Sequence, residues 1–210
     1  MGRDKATLPF GPDETMLARV VRLMACAVPA GRTVCIAAAG QELPTLPGDV
    51  RVVRDASPFL GPLAGLAVGL ATMGEDVDAV FACGCDAPML APAFVGRMFE
   101  SLGGHQIAVP HDGERWQPLA AVYRGDVLGT AQQLLAARER SLVALLERCD
   151  AWRVAVEELR DVDPDLGSLR RCNTADEYEA LVRDATHSGL GHGAGREPRV
   201  GRRADQPGAE

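Results

Sequence analysis

Asp78-Ala-Val-Phe-Ala-Cys83-Gly-Cys-Asp86-Ala-Pro88 is an apolar run of strand length that ends on an acidic residue and a proline-fixed turn. Apolar side chains on both faces of so short a run mark a strand covered on both sides, as in a sheet with helices above and below. The flanks agree. Residues 62–73 before it and 91–102 after it carry small and apolar residues at helical spacing. A buried strand between two helices is the repeating unit of a doubly wound, mostly parallel α/β sheet.

The same alternation extends in both directions. Residues 13–28 place Met16, Leu17, Val20, Val21, Leu23 and Met24 on one helical face before the stop at Pro29-Ala-Gly31. Thr33–Ala38 and Val50–Val53 then read as strands, the second running out at Asp55, and Gln106–Val109 as another. Past His111 the pattern changes to a strand candidate at 118–123, two helix candidates within 125–147, a strand at Trp152–Val156 and a last helix from Thr174 to Arg183. Asn173 or Thr174 caps that helix. One domain is expected over residues 1–186, with 187–210 a disordered tail too poor in apolar residues to fold.

A net charge of −7 argues against a general nucleic-acid or anionic-membrane binder, though a local backbone nest and a lysine can hold phosphate in an acidic protein. Without an apolar stretch of membrane-spanning length or a signal-peptide core, and with six cysteines scattered through mostly apolar surroundings, the expected setting is a reducing cytoplasm.

Four places carry candidate chemistry. Lys5, in the turn Gly2-Arg3-Asp4-Lys5-Ala6, reads as a phosphate ligand or as a solvated cation. Asp55, followed by Gly61-Pro62-Leu63-Ala64-Gly65, reads as a ligand-binding carboxylate at a strand's carboxyl end or as a turn cap before a closely packed helix. Asp86 has the placement of a carboxylate that binds Mg²⁺ and, through it, phosphate oxygens. Cys83 and Cys85 are only two soft ligands and share one face of the strand, so they read as packing residues and not as a zinc site. His111, Arg115 and Gln117 flank an Asp-Gly turn and either contact a second substrate or form a plain polar hairpin.

Taken in order, these pieces resemble the molybdenum cofactor guanylyltransferases. Members of that family open with a strand and a loop of the type Leu-Ala-Gly-Gly-x-Ser-x-Arg-Met-Gly-x-Asp-Lys, whose end matches Met1-Gly2-Arg3-Asp4-Lys5. Asp55 with Gly61–Gly65, Cys85-Asp86-Ala-Pro88, and His111–Arg115 with Gln117-Pro118-Leu119 match the following blocks. Cys172-Asn173-Thr174 with Glu177 resembles the closing Asn-Thr-Pro-Glu-Glu segment, with Ala175 in the proline's place. The resemblance spans residues 1 to about 184 and implies a Rossmann-like nucleotidyltransferase that uses Mg²⁺ to transfer GMP from GTP to molybdopterin. It implies Lys5 on the triphosphate, Asp55 on the guanosine, Asp86 on GTP and Mg²⁺, and His111, Arg115, Gln117 and Asn173 on the second substrate. Molybdoenzymes or their chaperones are the implied transient partners. Two alternatives stand: a CTP-dependent cytidylyltransferase acting on the same cofactor, or a truncated, non-catalytic binding relative.

The family's opening strand and Gly-Gly loop have no counterpart after Met1, so the reading expects a start further upstream. In a sheet of order 3-2-1-4 that strand lies between Thr33–Ala38 and Asp78–Cys83. Those two strands are therefore expected to face each other unpaired across a slot, with Lys5 near its carboxyl-end mouth.

Overall fold

The computed structural model describes residues 4–55, 61–74 and 76–187. Six strands and six α-helices alternate through them: α1 (Met16–Ala25), β1 (Val34–Ala38), β2 (Arg51–Asp55), α2 (Pro62–Met73), β3 (Ala79–Cys83), α3 (Pro92–Leu102), β4 (Ile107–His111), β5 (Ala120–Arg124), α4 (Leu128–Ala136), α5 (Leu142–Arg148), β6 (Ala151–Ala155) and α6 (Ala175–His187). The α/β reading holds, and most element boundaries fall within two or three residues of those read from the sequence. The exception is α6, which continues past Arg183 to His187, where the tail was expected to start. Residues 188–210 lie outside the described part.

The strands form two sheets. β1 and β2 pair in parallel, and β3, β5, β4 and β6 form the second sheet in that order. β5 runs antiparallel to both its neighbours, while β4 and β6 are parallel, so β3, β4 and β6 all point one way and only β5 is reversed. The period of two along β4 and β5 divides the core cleanly. Ile107, Val109, Ala121 and Tyr123 face α2, α4 and α5, whereas Ala108, Ala120 and Val122 join Phe94, Val95 and Met98 of α3 on the other side. The buried Tyr123 ring satisfies its hydroxyl by donating to the Pro118 carbonyl at 2.6 Å.

β1 and β3 do not pair with each other. Between their facing edges lies a slot of about 860 Å³, walled by Val34 and Ile36 of β1, Val80 and Ala82 of β3, α1 through Val20, and α2 through Gly65. This is the arrangement expected from the sequence. Its mouth is bordered by Ala6, Gln41 and Cys85, the immediate neighbours of the Lys5 turn and of Asp86.

Helices α1 and α6 close the remaining side. Phe10 and Met16 pack with Leu181 and Ala185, and the Tyr178 hydroxyl donates to the Pro9 carbonyl. No helix among the described residues is long and apolar enough to cross a membrane.

Candidate active site

Strand β3 ends at Cys83, and the chain turns through Gly84-Cys85 to present Asp86 at the rim of the sheet. The turn is held from behind. Arg19, itself buried, donates from Nε to the Pro88 carbonyl at 2.8 Å and pairs with Glu14 at 3.0 Å, and its guanidinium stacks over Phe10. Burial pushes the Glu14 carboxyl upward, but hydrogen bonds from Arg22 and Arg19 outweigh it and hold Glu14 below the usual carboxylate range. This buried ion pair fixes the backbone just beyond Asp86 through the Pro88 carbonyl.

Lys5 approaches from a single 3-10 turn, Lys5–Thr7, capped by the Asp4 side chain on the Ala6 N–H. Its ammonium donates to Asn173 Oδ1 at 2.8 Å and lies 3.4 Å from Asp86 Oδ2. Residues from positions 5, 86 and 173 thus meet at one point. The position of Asn173 comes from the first turn of α6. Glu177 Oε2 accepts from the N–H groups of Asn173 and Thr174 at 2.7 and 2.9 Å, and Thr174 Oγ1 accepts from the Glu177 N–H at 3.2 Å. That reciprocal capping box makes Thr174 the cap and holds the Glu177 carboxyl below its ordinary range.

Two groups escaped sequence reasoning. Arg171 donates from Nη1 to Asp86 Oδ1 at 3.0 Å and from Nη2 to the Leu119 carbonyl at 2.6 Å, so it ties the Asp86 turn to the loop before β5. Nothing local to Arg170-Arg171 distinguishes it from a surface cation; only its separation from Asp86 collapsing in the fold does. Gln41 donates to Asp4 Oδ2 at 2.8 Å and accepts from the Ala38 N–H at 3.1 Å, which fastens the Lys5 turn to the carboxyl end of β1.

Asp55 is the last residue of β2, in register with Ala38 at the end of β1. Its neighbour Arg54 donates to the Ala38 and Gln41 carbonyls at 3.2 and 2.8 Å. Asp55 therefore stands at the same end of the molecule as Lys5 and Asp86, while residues 56–60 after it lie outside the described part. His111 is buried at the end of β4, accepting the Gly113 N–H on Nδ1 at 2.9 Å and packing edge-on against Trp116. Asp112 accepts the N–H groups of Arg115 and Glu114, which lowers its carboxyl below the usual range and forms the expected turn. Among the described residues, none of His111, Arg115 and Gln117 hydrogen-bonds to Lys5 or Asp86. The loop reaches the site through Leu119.

Cys83 and Cys85 behave as packing residues. Burial pushes their thiols up to about 12 and about 11, and all six cysteines are free. Among the described residues, no group of three or more His, Cys, Asp or Glu side chains could hold a metal ion.

Ligands of open α/β folds bind outside the carboxyl ends of the strands, which is where Lys5 and Asp86 converge. The family described as the MobA-like NTP transferase domain matches residues 1–152. The chain belongs to that family. A Mycobacterium bovis protein described as a probable molybdenum cofactor guanylyltransferase is 37% identical over 166 residues, covering 76% of this chain and 79% of its own. The crystal structure of molybdopterin-guanine dinucleotide biosynthesis protein A from Archaeoglobus fulgidus has a similar fold, with a TM-score of 0.72 at 17% identity over 89% of this chain and 92% of that one. A 2-C-methyl-D-erythritol 4-phosphate cytidylyltransferase from Thermus thermophilus shares the fold at a TM-score of 0.65 and 14% identity, over 87% and 94% of the two chains. Membership in this family makes the cluster of Lys5, Asp86 and Asn173 the candidate active site of a nucleotidyltransferase.

Proposed function

We propose that this protein transfers GMP from GTP to molybdopterin, forming the guanine dinucleotide and releasing pyrophosphate. The observation that carries the reading is the convergence of Lys5 and Asp86, 3.4 Å apart at the carboxyl end of β3, in a chain 37% identical to a probable guanylyltransferase.

The terminal phosphate of molybdopterin attacks the α-phosphorus of GTP, a new P–O bond forms, and the α–β bridging oxygen leaves with pyrophosphate. A phosphate nucleophile is already ionised near neutrality, so the reaction asks for no strong general base. It asks instead for alignment and for positive charge where negative charge accumulates. Lys5 supplies that charge on a flexible stem and is aimed by Asn173. Asp86 is the residue that would hold Mg²⁺, its hard carboxylate oxygen suiting an ion that otherwise keeps water and substrate phosphates as ligands. When bound there, Mg²⁺ would neutralise charge on the phosphates. Asp55 stands at the rim of β2, where it would meet the guanosine. His111, Arg115 and Gln117, on the loop that reaches the site through Leu119, would meet molybdopterin together with Asn173.

A second reading, CTP as the donor, has the cytidylyltransferase likeness in its favour, but at 14% identity that likeness speaks for the fold alone. Competition binding in the presence of Mg²⁺ tests the choice. Unlabelled GTP should displace a fluorescent GTP analogue at least about tenfold more effectively than CTP, a margin of about 1.4 kcal/mol. Stronger displacement by CTP would overturn the guanylyl assignment.

A further inference from the structure

Both oxygens of the Asp86 carboxylate are already engaged by cations of the chain itself. Lys5 Nζ lies 3.4 Å from Oδ2, and Arg171 Nη1 lies 3.0 Å from Oδ1. The two contacts differ in how firmly they are made. Lys5 divides its half-buried ammonium between Asp86 and Asn173 on a flexible stem, so it can turn toward another anion at little cost. Arg171 is fixed from three directions: Nη2 donates to the Leu119 carbonyl at 2.6 Å, Nη1 holds Asp86, and the next residue, Cys172, donates its N–H to the Asp86 carbonyl at 3.0 Å. Gly84 is shaped to this pair. A Cβ there would stand 2.4 Å from Asp86 Oδ1 and 2.7 Å from Arg171 Nη1, distances no side chain tolerates.

Two cations of the chain thus occupy the one carboxylate of Asp86, with the carboxylates of Asp4 and Glu177 standing next to the cluster. A divalent cation arriving alone at Asp86 must displace one of these two cations from the oxygen it needs, against the repulsion of that cation at close range. A nucleotide triphosphate reverses the balance, because its charge attracts Lys5 away from Oδ2 and welcomes the metal. We propose that Arg171 is a positioning counter-ion that closes Asp86 to free divalent cations, so that the metal reaches Asp86 only together with the nucleotide triphosphate. The inference rests on the nucleotidyltransferase reading of the site and adds an order of assembly to it.

Mn²⁺ serves as the probe, its free concentration followed by electron paramagnetic resonance during titration of nucleotide-free protein. Arg171→Gln should bind Mn²⁺ at least about tenfold more tightly than the unaltered chain, on the scale of removing one nearby like charge. Arg171→Lys, which keeps the charge, should stay close to the unaltered protein. Adding Asp86→Asn to Arg171→Gln should abolish the gain. Equal Mn²⁺ affinity in the unaltered and Arg171→Gln proteins, or a gain that survives Asp86→Asn, overturns the proposal. If circular dichroism shows Arg171→Gln unfolded, Arg171→Met, which keeps the length of the side chain without its charge, supplies the same measurement. A tenfold gain there supports the proposal, and unchanged affinity overturns it. Because no guanylyl transfer is measured, a failure of the transferase assignment would leave this result to stand or fall separately.

Discussion

Replacing Gly65 with alanine places one methyl group on the α2 wall of the slot between β1 and β3. A Cβ at Gly65 would meet no heavy atom within 4 Å, and at Gly69 it would meet only Ile36 Cγ1 at 4.0 Å. Alanine in a helix interior is better than glycine by about 1 kcal/mol, so Gly65→Ala should raise the melting temperature by roughly 2–4 °C in a domain of this size. The slot itself gives the second half of the experiment. At about 24 cal/mol per Å³, a dry void of about 860 Å³ would cost about 20 kcal/mol, more than the roughly 5–15 kcal/mol that holds a typical domain together. A slot of this size is therefore wet or filled. It has a strand edge of β1 on one side, one of β3 on the other, and apolar residues of α1 and α2 along its walls, so an extended apolar segment is the natural occupant. Joining such a segment ahead of residue 1 should pair with both edges. At about 1 kcal/mol net for each new backbone hydrogen bond, even five of them raise the melting temperature by about 10 °C or more. In that extended form the sign at position 65 should reverse, because the added methyl would press on the inserted backbone. Thermal unfolding followed by circular dichroism reads both effects. Destabilisation by Gly65→Ala in the unextended chain, or an extension that leaves the melting temperature unchanged, would refute the reasoning.

Asp86→Asn keeps the shape of the turn while removing its charge, and turnover of GTP with molybdopterin should fall at least about a hundredfold; near-normal turnover in a steady-state assay would remove Asp86 from the mechanism. Alkylation of Cys85 by iodoacetamide should be slow at neutrality and climb about tenfold per pH unit through pH 9, because its thiol is pushed up to about 11, whereas a rate that levels off near pH 8 would contradict the buried environment. Glu177 has its carboxyl lowered by the Asn173 and Thr174 N–H groups, so its contribution is present above the ordinary carboxylate pKa and is lost as pH falls through its lowered folded value. Acid should loosen the start of α6 in hydrogen exchange, and Glu177→Gln should flatten that pH dependence.

Much of the architecture was legible because it is local. The helical period of α1, the Gly61-Pro62 start of α2 and the apolar run of β3 each lie within about a dozen consecutive residues, where side-chain periodicity and turn chemistry act. The same locality placed Asp86 at a strand end and set the Asp112-Gly113 turn. Even the slot could be anticipated, once the resemblance to the guanylyltransferases put a further strand between β1 and β3 of a doubly wound sheet. The tertiary structure alone decided the rest. That β5 inserts in reverse between β3 and β4 depends on which edges find each other after collapse, and no short window encodes it. Nor does any window join Arg171 to Asp86, 85 positions apart, or Asn173 to Lys5, 168 apart. The sequence by itself determined which residues would sit at the ends of strands and helices, because backbone preference and burial act on neighbours. The tertiary structure decided which charges meet across the site, because electrostatic partners are chosen in space after the chain has folded.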